Sequence, residues 1–151
     1  MIVKIDITIP SLAKEVLDLQ YESYQIEADI IGYGELPPLK DNVNSLKKCG
    51  EVFFGFYEKN QLCGAASFKC EENIVDIHRM MVHPSHFRKG ISKALLNHLE
   101  EECKGLDAMV VSTGTKNRPA IHLYKNAGFK EVAEKEITEG LRITTFKKML
   151  K

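Results

Sequence analysis

The sequence predicts an α/β (α+β) fold: a mixed, mostly antiparallel central sheet of about seven strands flanked by about four helices. Two strand-like runs, NIVDIHRMMV and AMVVST, bracket an amphipathic helix, and such a step sets its two strands parallel with the helix on one face. Three successive runs, EVFFGFY, QLCGAASFKC and NIVDIHRMMV, are separated only by EKN and EE, connections of hairpin length, so they form an antiparallel meander. At 151 residues with 44% apolar composition, the chain suits a single domain over 1–151 with a substantial core.

Each element follows in order. Val3, Ile5, Ile7 and Ile9 alternate with polar residues, which predicts a half-buried first strand running to Pro10. From Ser11 to about Ile30 the positions Leu12, Val16, Leu19 and Ile26 fit a helix. GYGELPPLKD, residues 32–41, carries two glycines and adjacent prolines and is expected to be a loop, after which Asp41 caps a short helix closed near Gly50. The meander comes next. Ile91, Leu95, Leu99 and Cys103 recur every fourth residue, with Ala94 beside them, and mark a helix starting at about Gly90. AMVVST is a buried strand, RPAIHLYKNAG a short helix stopped by Gly128, and FKEVAEKEI and LRITTFKKML are two final strands about a turn at Glu139 and Gly140.

Composition removes several classes of function. Lys plus Arg and Asp plus Glu number 21 each, so no excess of positive charge points to nucleic acid. No basic leader followed by an apolar core opens the chain, and no apolar stretch approaches the roughly 20 residues that span a bilayer, so a cytoplasmic protein without a membrane partner is expected. Cys49, Cys63, Cys70 and Cys103 lack paired short spacings and are expected to be reduced core thiols. His83 and His86 have no ligand pair at finger-like spacing nearby, so no metal is expected.

One stretch carries chemistry. In VHPSHFRKGISKALLNHLEEEC, residues 82–103, an apolar strand passes through a short turn with Arg88, Lys89 and Gly90 directly into a helix. The first helical amides have no intrahelical acceptors, and the helix dipole adds positive potential beside two cationic side chains. That is a site for an anion such as phosphate. The turn lacks both the GxGxxG and the GxxxxGK[ST] spacing, which argues against dinucleotides and nucleoside triphosphates.

Residues 72–130 resemble the core of the GCN5-related N-acetyltransferase superfamily. VHPSHFRKGISKALL matches its acetyl-CoA loop, and NRPAIHLYKNAGF matches its later signature, with Asn117, Ala120, Tyr124, Gly128 and Phe129 at the expected intervals. The resemblance implies acetyl-CoA as cosubstrate and an amine-bearing acceptor. It implies that amides around Arg88, Lys89, Gly90, Ile91, Ser92 and Lys93 hold the coenzyme A pyrophosphate, that the backbone of Met80, Met81 and Val82 pairs with the pantetheine arm, and that Asn117 orients the coenzyme. Two positions depart from the usual loop: Phe87 stands where Gln or Arg is common and cannot donate to phosphate, while Ser92 is small and can.

The resemblance also implies catalytic roles. Tyr124 occupies the position of a general acid that assists the leaving thiolate; with a phenol near 10 and a thiol near 8.5, full transfer is uphill by roughly 2 kcal/mol, so hydrogen bonding matters as much as protonation. Freeing a lysine-like amine of its proton costs roughly 4.6 kcal/mol at pH 7. Asp76 is the first candidate base and His78 the second, two residues on; Ser112 stands where some relatives carry a glutamate. Tyr33 and Glu35, in the loop after the first helix, are the candidate acceptor contacts. The expected function is direct acetyl transfer to a primary amine of a small molecule or peptide. The alternative, a non-catalytic acyl-CoA-binding sensor or interaction module, keeps the loop but needs no acceptor pocket, and Tyr124 favours catalysis. The final strands leave an edge through which a homodimer could form.

Overall fold

The computed structural model describes residues 1–151. Strands β1 (Ile2–Ile5), β2 (Val52–Glu58), β3 (Gln61–Glu71), β4 (Ile74–Val82), β5 (Ala108–Gly114), β6 (Lys130–Thr138) and β7 (Leu141–Met149) make one sheet in the order β1-β2-β3-β4-β5-β7-β6. Four helices flank it: α1 (Pro10–Ile31), α2 (Val43–Lys48), α3 (Ile91–Glu102) and α4 (Arg118–Asn126). The expected α/β sheet is therefore present, and β4 and β5 are its one parallel pair. Both meander turns place two consecutive residues at positive φ, Lys59 and Asn60, then Glu72 and Asn73, a backbone that matches the twist of a two-residue hairpin.

Local chemistry sets three boundaries away from the expected ones. β1 ends at Ile5, short of the expected Ile9, because the Asp6 carboxylate accepts from the Thr8 amide and hydroxyl at 3.0 and 2.6 Å and turns the chain into Pro10. The cap of α2 is Asn42 rather than Asp41: Asn42 Oδ1 accepts from the Ser45 amide, and Ser45 Oγ accepts from the Asn42 amide, both at 2.9 Å. The loop after α1 contains a 3-10 turn at Pro37–Lys40. All four cysteines are free, but only Cys63 and Cys103 are buried; Cys70 is exposed and so is no core thiol. Burial, and then proximity to Cys70, pushes the Cys103 thiol up to about 11.

The feature that positions the site is a split in the sheet. β4 and β5 pair only from Ile74↔Ala108 to Ile77↔Val111. Beyond that, residues 79–82 stay with β3 and residues 112–114 with β7, so a wedge opens between two half-sheets. A bulge starts it. Ile77 faces Phe68 and Arg79 faces Ser67, which leaves His78 as the extra residue and bends β4.

Two layers close over this sheet. On one face α3 and α4 bury the largest core, where Leu95 and Leu99 are fully enclosed and contribute about 1.5–3 kcal/mol each. On the other face α1 spans the wedge. Its first half packs Ala13, Val16 and Leu17 against Phe53, Ala65 and Met81, and its end packs Ala28 and Ile31 with Leu36 and Leu141. The end of β5 must be glycine for this, because a Cβ on Gly114 would lie 2.9 Å from Ile31 Cγ2.

Candidate active site

At the open end of the wedge, where β4 finishes at Val82, lies the turn between β4 and α3. Arg88 and Gly90 both adopt left-handed backbone, φ 66 and 76, and this alternation turns successive amides the same way. The amides of Arg88, Lys89, Gly90, Ile91, Ser92 and Lys93 have no acceptor within the protein; the first bond of the helix start is Ala94 N to Gly90 O at 3.0 Å. Six consecutive unengaged donors at a helix N-terminus suit a phosphate group, and the turn therefore fits the anionic end of coenzyme A. Phe87 is exposed, so its departure from the usual residue removes a donor without disturbing the core. Glu58, Cys63 and His86 converge beside the turn, but the Lys89 ammonium lies 3.2 Å from His86 Nδ1 and 4.0 Å from Glu58 Oε2 and itself supplies positive charge there.

Inside the wedge, α1 meets the free edge of β4. The Met80 amide donates to Tyr24 Oη at 3.3 Å and the Val82 amide donates to Ser23 Oγ at 3.2 Å. These are amides expected to pair with pantetheine, and here the helix already engages them through neutral hydroxyls. Met81, between them, points away into the α1 core.

Tyr124 enters the wedge from the opposite face. Its ring packs edge-on against Phe129 at 5.6 Å and near Phe146 at 6.1 Å, and the residue is 3% exposed. Its hydroxyl has no protein partner, yet it is not sealed from solvent. Burial, and then the charge of Glu27, raises its pKa well above that of an ordinary phenol. The same two causes raise Tyr24, so both hydroxyls stay neutral.

Glu27 is a site residue that sequence reasoning does not single out. Its Oε1 accepts from Asn117 Nδ2 at 2.6 Å and from Thr113 Oγ1 at 3.1 Å. Asn117 is thereby occupied twice: its Oδ1 caps α4 by accepting from the Ala120 amide at 3.2 Å, while its amide group faces the carboxylate. A signal for Glu27 is nonetheless present in the sequence. Gln20, Tyr24 and Glu27 continue the inward stripe of Val16 toward Ile31 at helical spacing, so polar groups interrupt an otherwise apolar face.

Asp76 and His78 lie upstream, where the strands still pair or have just parted. Despite the bulge they share a face: His78 Nε2 is 3.5 Å from Asp76 Oδ2, and His78 Nδ1 is 3.2 Å from Glu51 Oε2. Glu51 also pairs with Arg79 and accepts from Ser67 Oγ at 2.6 Å, and Arg79 reaches Asp41 at 3.0 Å. Gln20 Nε2 donates to Pro38 O at 2.7 Å and Asp41 Oδ2 at 2.8 Å. Burial would raise Glu51 and Asp41, but the hydrogen bonds and the Arg79 charge outweigh it and hold both below the usual carboxylate range. The network fastens the segment after α1 onto β4.

The two acceptor-loop candidates sit apart in character. Glu35 is exposed and paired with Lys40 at 2.8 Å, whose hydrogen bond and charge lower its pKa. Tyr33 is half-buried against the small cluster of Ala28, Ile31, Leu36 and Leu141. No helix is long and apolar enough to cross a membrane.

A sheet split between parallel strands, a phosphate-type turn at one strand's end and a buried phenol in the opening define an acetyltransferase fold. The chain belongs to the acetyltransferase (GNAT) family, whose model matches residues 13–129. Among relatives, UPF0157 protein YqkA of Bacillus subtilis is 32% identical over 136 residues, 90% of this chain; the chain spans 40% of that protein's length. The fold is similar to that of the ribosomal-protein-S18-alanine N-acetyltransferase from Escherichia coli, with TM-score 0.81 at 16% identity over 99% of this chain and 93% of that one. It is also similar to yncA of Salmonella typhimurium, solved with its cofactor acetyl-CoA, with TM-score 0.74 at 19% identity over 100% of this chain and 94% of that one.

Proposed function

We propose that this chain is an acetyl-CoA-dependent N-acetyltransferase that moves acetyl directly to a primary amine of a small molecule or peptide. The observation that carries the reading is Tyr124, a buried phenol whose hydroxyl has no protein partner, is not sealed from solvent and lies near enough to Tyr24 and Glu27 to interact with both. The amides of Arg88 to Lys93 hold the pyrophosphate. Met80 and Val82 exchange their bonds to Tyr24 and Ser23 for bonds to the pantetheine arm; because one neutral hydrogen bond replaces another, the exchange is close to balanced.

The chemistry follows from proximity. A thioester held in the wedge faces an amine arriving from the α1 side, and the tetrahedral intermediate collapses with loss of thiolate. Because its pKa is raised, Tyr124 serves that thiolate as a hydrogen-bond donor more than as a full proton source. Among the groups that could take the acceptor's proton, Asp76 and His78 stand as a pair beside Glu51, and Tyr33 and Glu35 are the loop groups assigned to recognition of the acceptor. A second copy would pair along β6, which is exposed throughout its length.

Calorimetric titration with acetyl-CoA tests the reading, with dephospho-coenzyme A and ATP as comparators. Saturable binding selective for acetyl-CoA is expected. Folded protein that binds none of the three would sink it.

A further inference from the structure

We infer that Glu27 is the group that takes the proton from the acceptor amine. This rests on the acetyltransferase reading and adds to it a catalytic residue, the carboxylate on the inner face of α1.

The geometry is specific. Both hydrogen bonds to Glu27 fall on Oε1, from Asn117 and Thr113, which fixes the carboxylate plane. Oε2 has no partner in the protein and is not sealed from solvent, in a residue that is itself half-buried. The charge of Glu27 is felt by both wedge phenols, Tyr24 on its own helix and Tyr124 across the opening. An amine approaching a thioester beside Tyr124 from the α1 side therefore passes Oε2. Asp76 and His78 are held differently: their near neighbours are each other and Glu51, and no hydrogen bond ties either to Tyr124, Asn117 or Thr113.

The groups tied to Glu27 are Tyr24 on α1, Thr113 on β5 and Asn117 and Tyr124 at α4, all of them neutral; the charge of Arg79 on β4 reaches Tyr24, but its guanidinium is paired with Glu51 and Asp41. An ammonium entering the wedge is thus the positive charge that this carboxylate lacks. The step balances. The ammonium gives one proton to Glu27 Oε2, the freed lone pair attacks the thioester carbon, the C–N bond forms and the C–S bond breaks. The departing sulfur takes the second amine proton, leaving amide and free thiol, and Glu27 then releases its proton to solvent.

The test compares two small acceptors, n-butylamine, which is an ammonium at neutral pH, and hydroxylamine, which is not. Wild type and Glu27→Gln are first titrated with acetyl-CoA and melted, and then assayed for thiol release with each acceptor across pH. Expected for Glu27→Gln are equal acetyl-CoA affinity, an unchanged melting midpoint, a roughly 100-fold loss of kcat with butylamine and near-wild-type rates with hydroxylamine. Raising the pH should recover the butylamine rate in the variant, and Glu27→Asp should restore part of it. Full butylamine turnover by Glu27→Gln overturns the inference, as does an equal loss with both acceptors, which would mark a positioning role. A wild type that binds acetyl-CoA but uses neither acceptor also overturns it. Absence of acetyl-CoA binding is a separate failure, that of the acetyltransferase reading, and takes this assignment with it.

Discussion

The phosphate turn follows directly on the β4 side of the wedge, yet the two are built in opposite ways. The turn uses six consecutive backbone amides, and its only side-chain requirement is that residues 88 and 90 accept left-handed φ. The wedge uses side chains from α1, β4, β5 and α4, with Glu27 and Asn117 ninety residues apart in the chain. A site made of backbone tolerates side-chain change and fails when its dihedrals are strained. A site made of distant side chains fails one residue at a time.

The largest expected effect sharpens the second half of that contrast. Arg79 is the cation between Glu51 and Asp41, and Arg79→Met should destabilise the fold by about 3 kcal/mol in urea unfolding, because two half-buried carboxylates lose their partner. The sign with pH follows from both carboxyls lying below their ordinary values of 4.5 and 3.8. They contribute stability above those values and lose it as pH falls through the folded ones, so the gap between wild type and variant should narrow below a pH of about 4. A gap unchanged at low pH would mean that packing of the arginine stem, not charge, is what matters.

Next in size, Tyr124→Phe keeps the ring against Phe129 and Phe146 and removes one oxygen. A loss of about 100-fold in kcat with unchanged acetyl-CoA affinity is expected, read by thiol release and calorimetry. Equal turnover would break the contrast, since the wedge would then depend on shape alone.

The smallest effect probes the turn. Gly90 sits at φ 76, and a Cβ added there would meet nothing within 4 Å, so Gly90→Val meets backbone strain but no clash. Strain of about 1–2 kcal/mol should weaken acetyl-CoA binding roughly tenfold with little change in kcat. Undiminished affinity would show that the turn does not need its left-handed dihedral.

Legibility in the sequence follows the same division. The meander, the α3 start and the β4–β5 crossover are readable because hairpin length, helical spacing and a glycine at a helix start act over a few residues. Ile7 and Ile9 mislead, since alternation reports burial, and a side-chain bond from Asp6 ends the strand first. Tyr124 is legible through a signature, while Glu27 lies on a helix whose apolar stripe draws attention to other positions.

The sequence by itself determined the order of elements, the parallel step and the phosphate turn, because each is settled by local backbone preference and hydrophobic period. Only the tertiary structure decided that β4 and β5 part after Ile77, that α1 bridges the opening, and that Glu27, Asn117 and Tyr124 meet within it. Those outcomes depend on packing between segments far apart in the chain, where a bulge at His78 and the close approach of Ile31 to Gly114 set positions that no local pattern encodes.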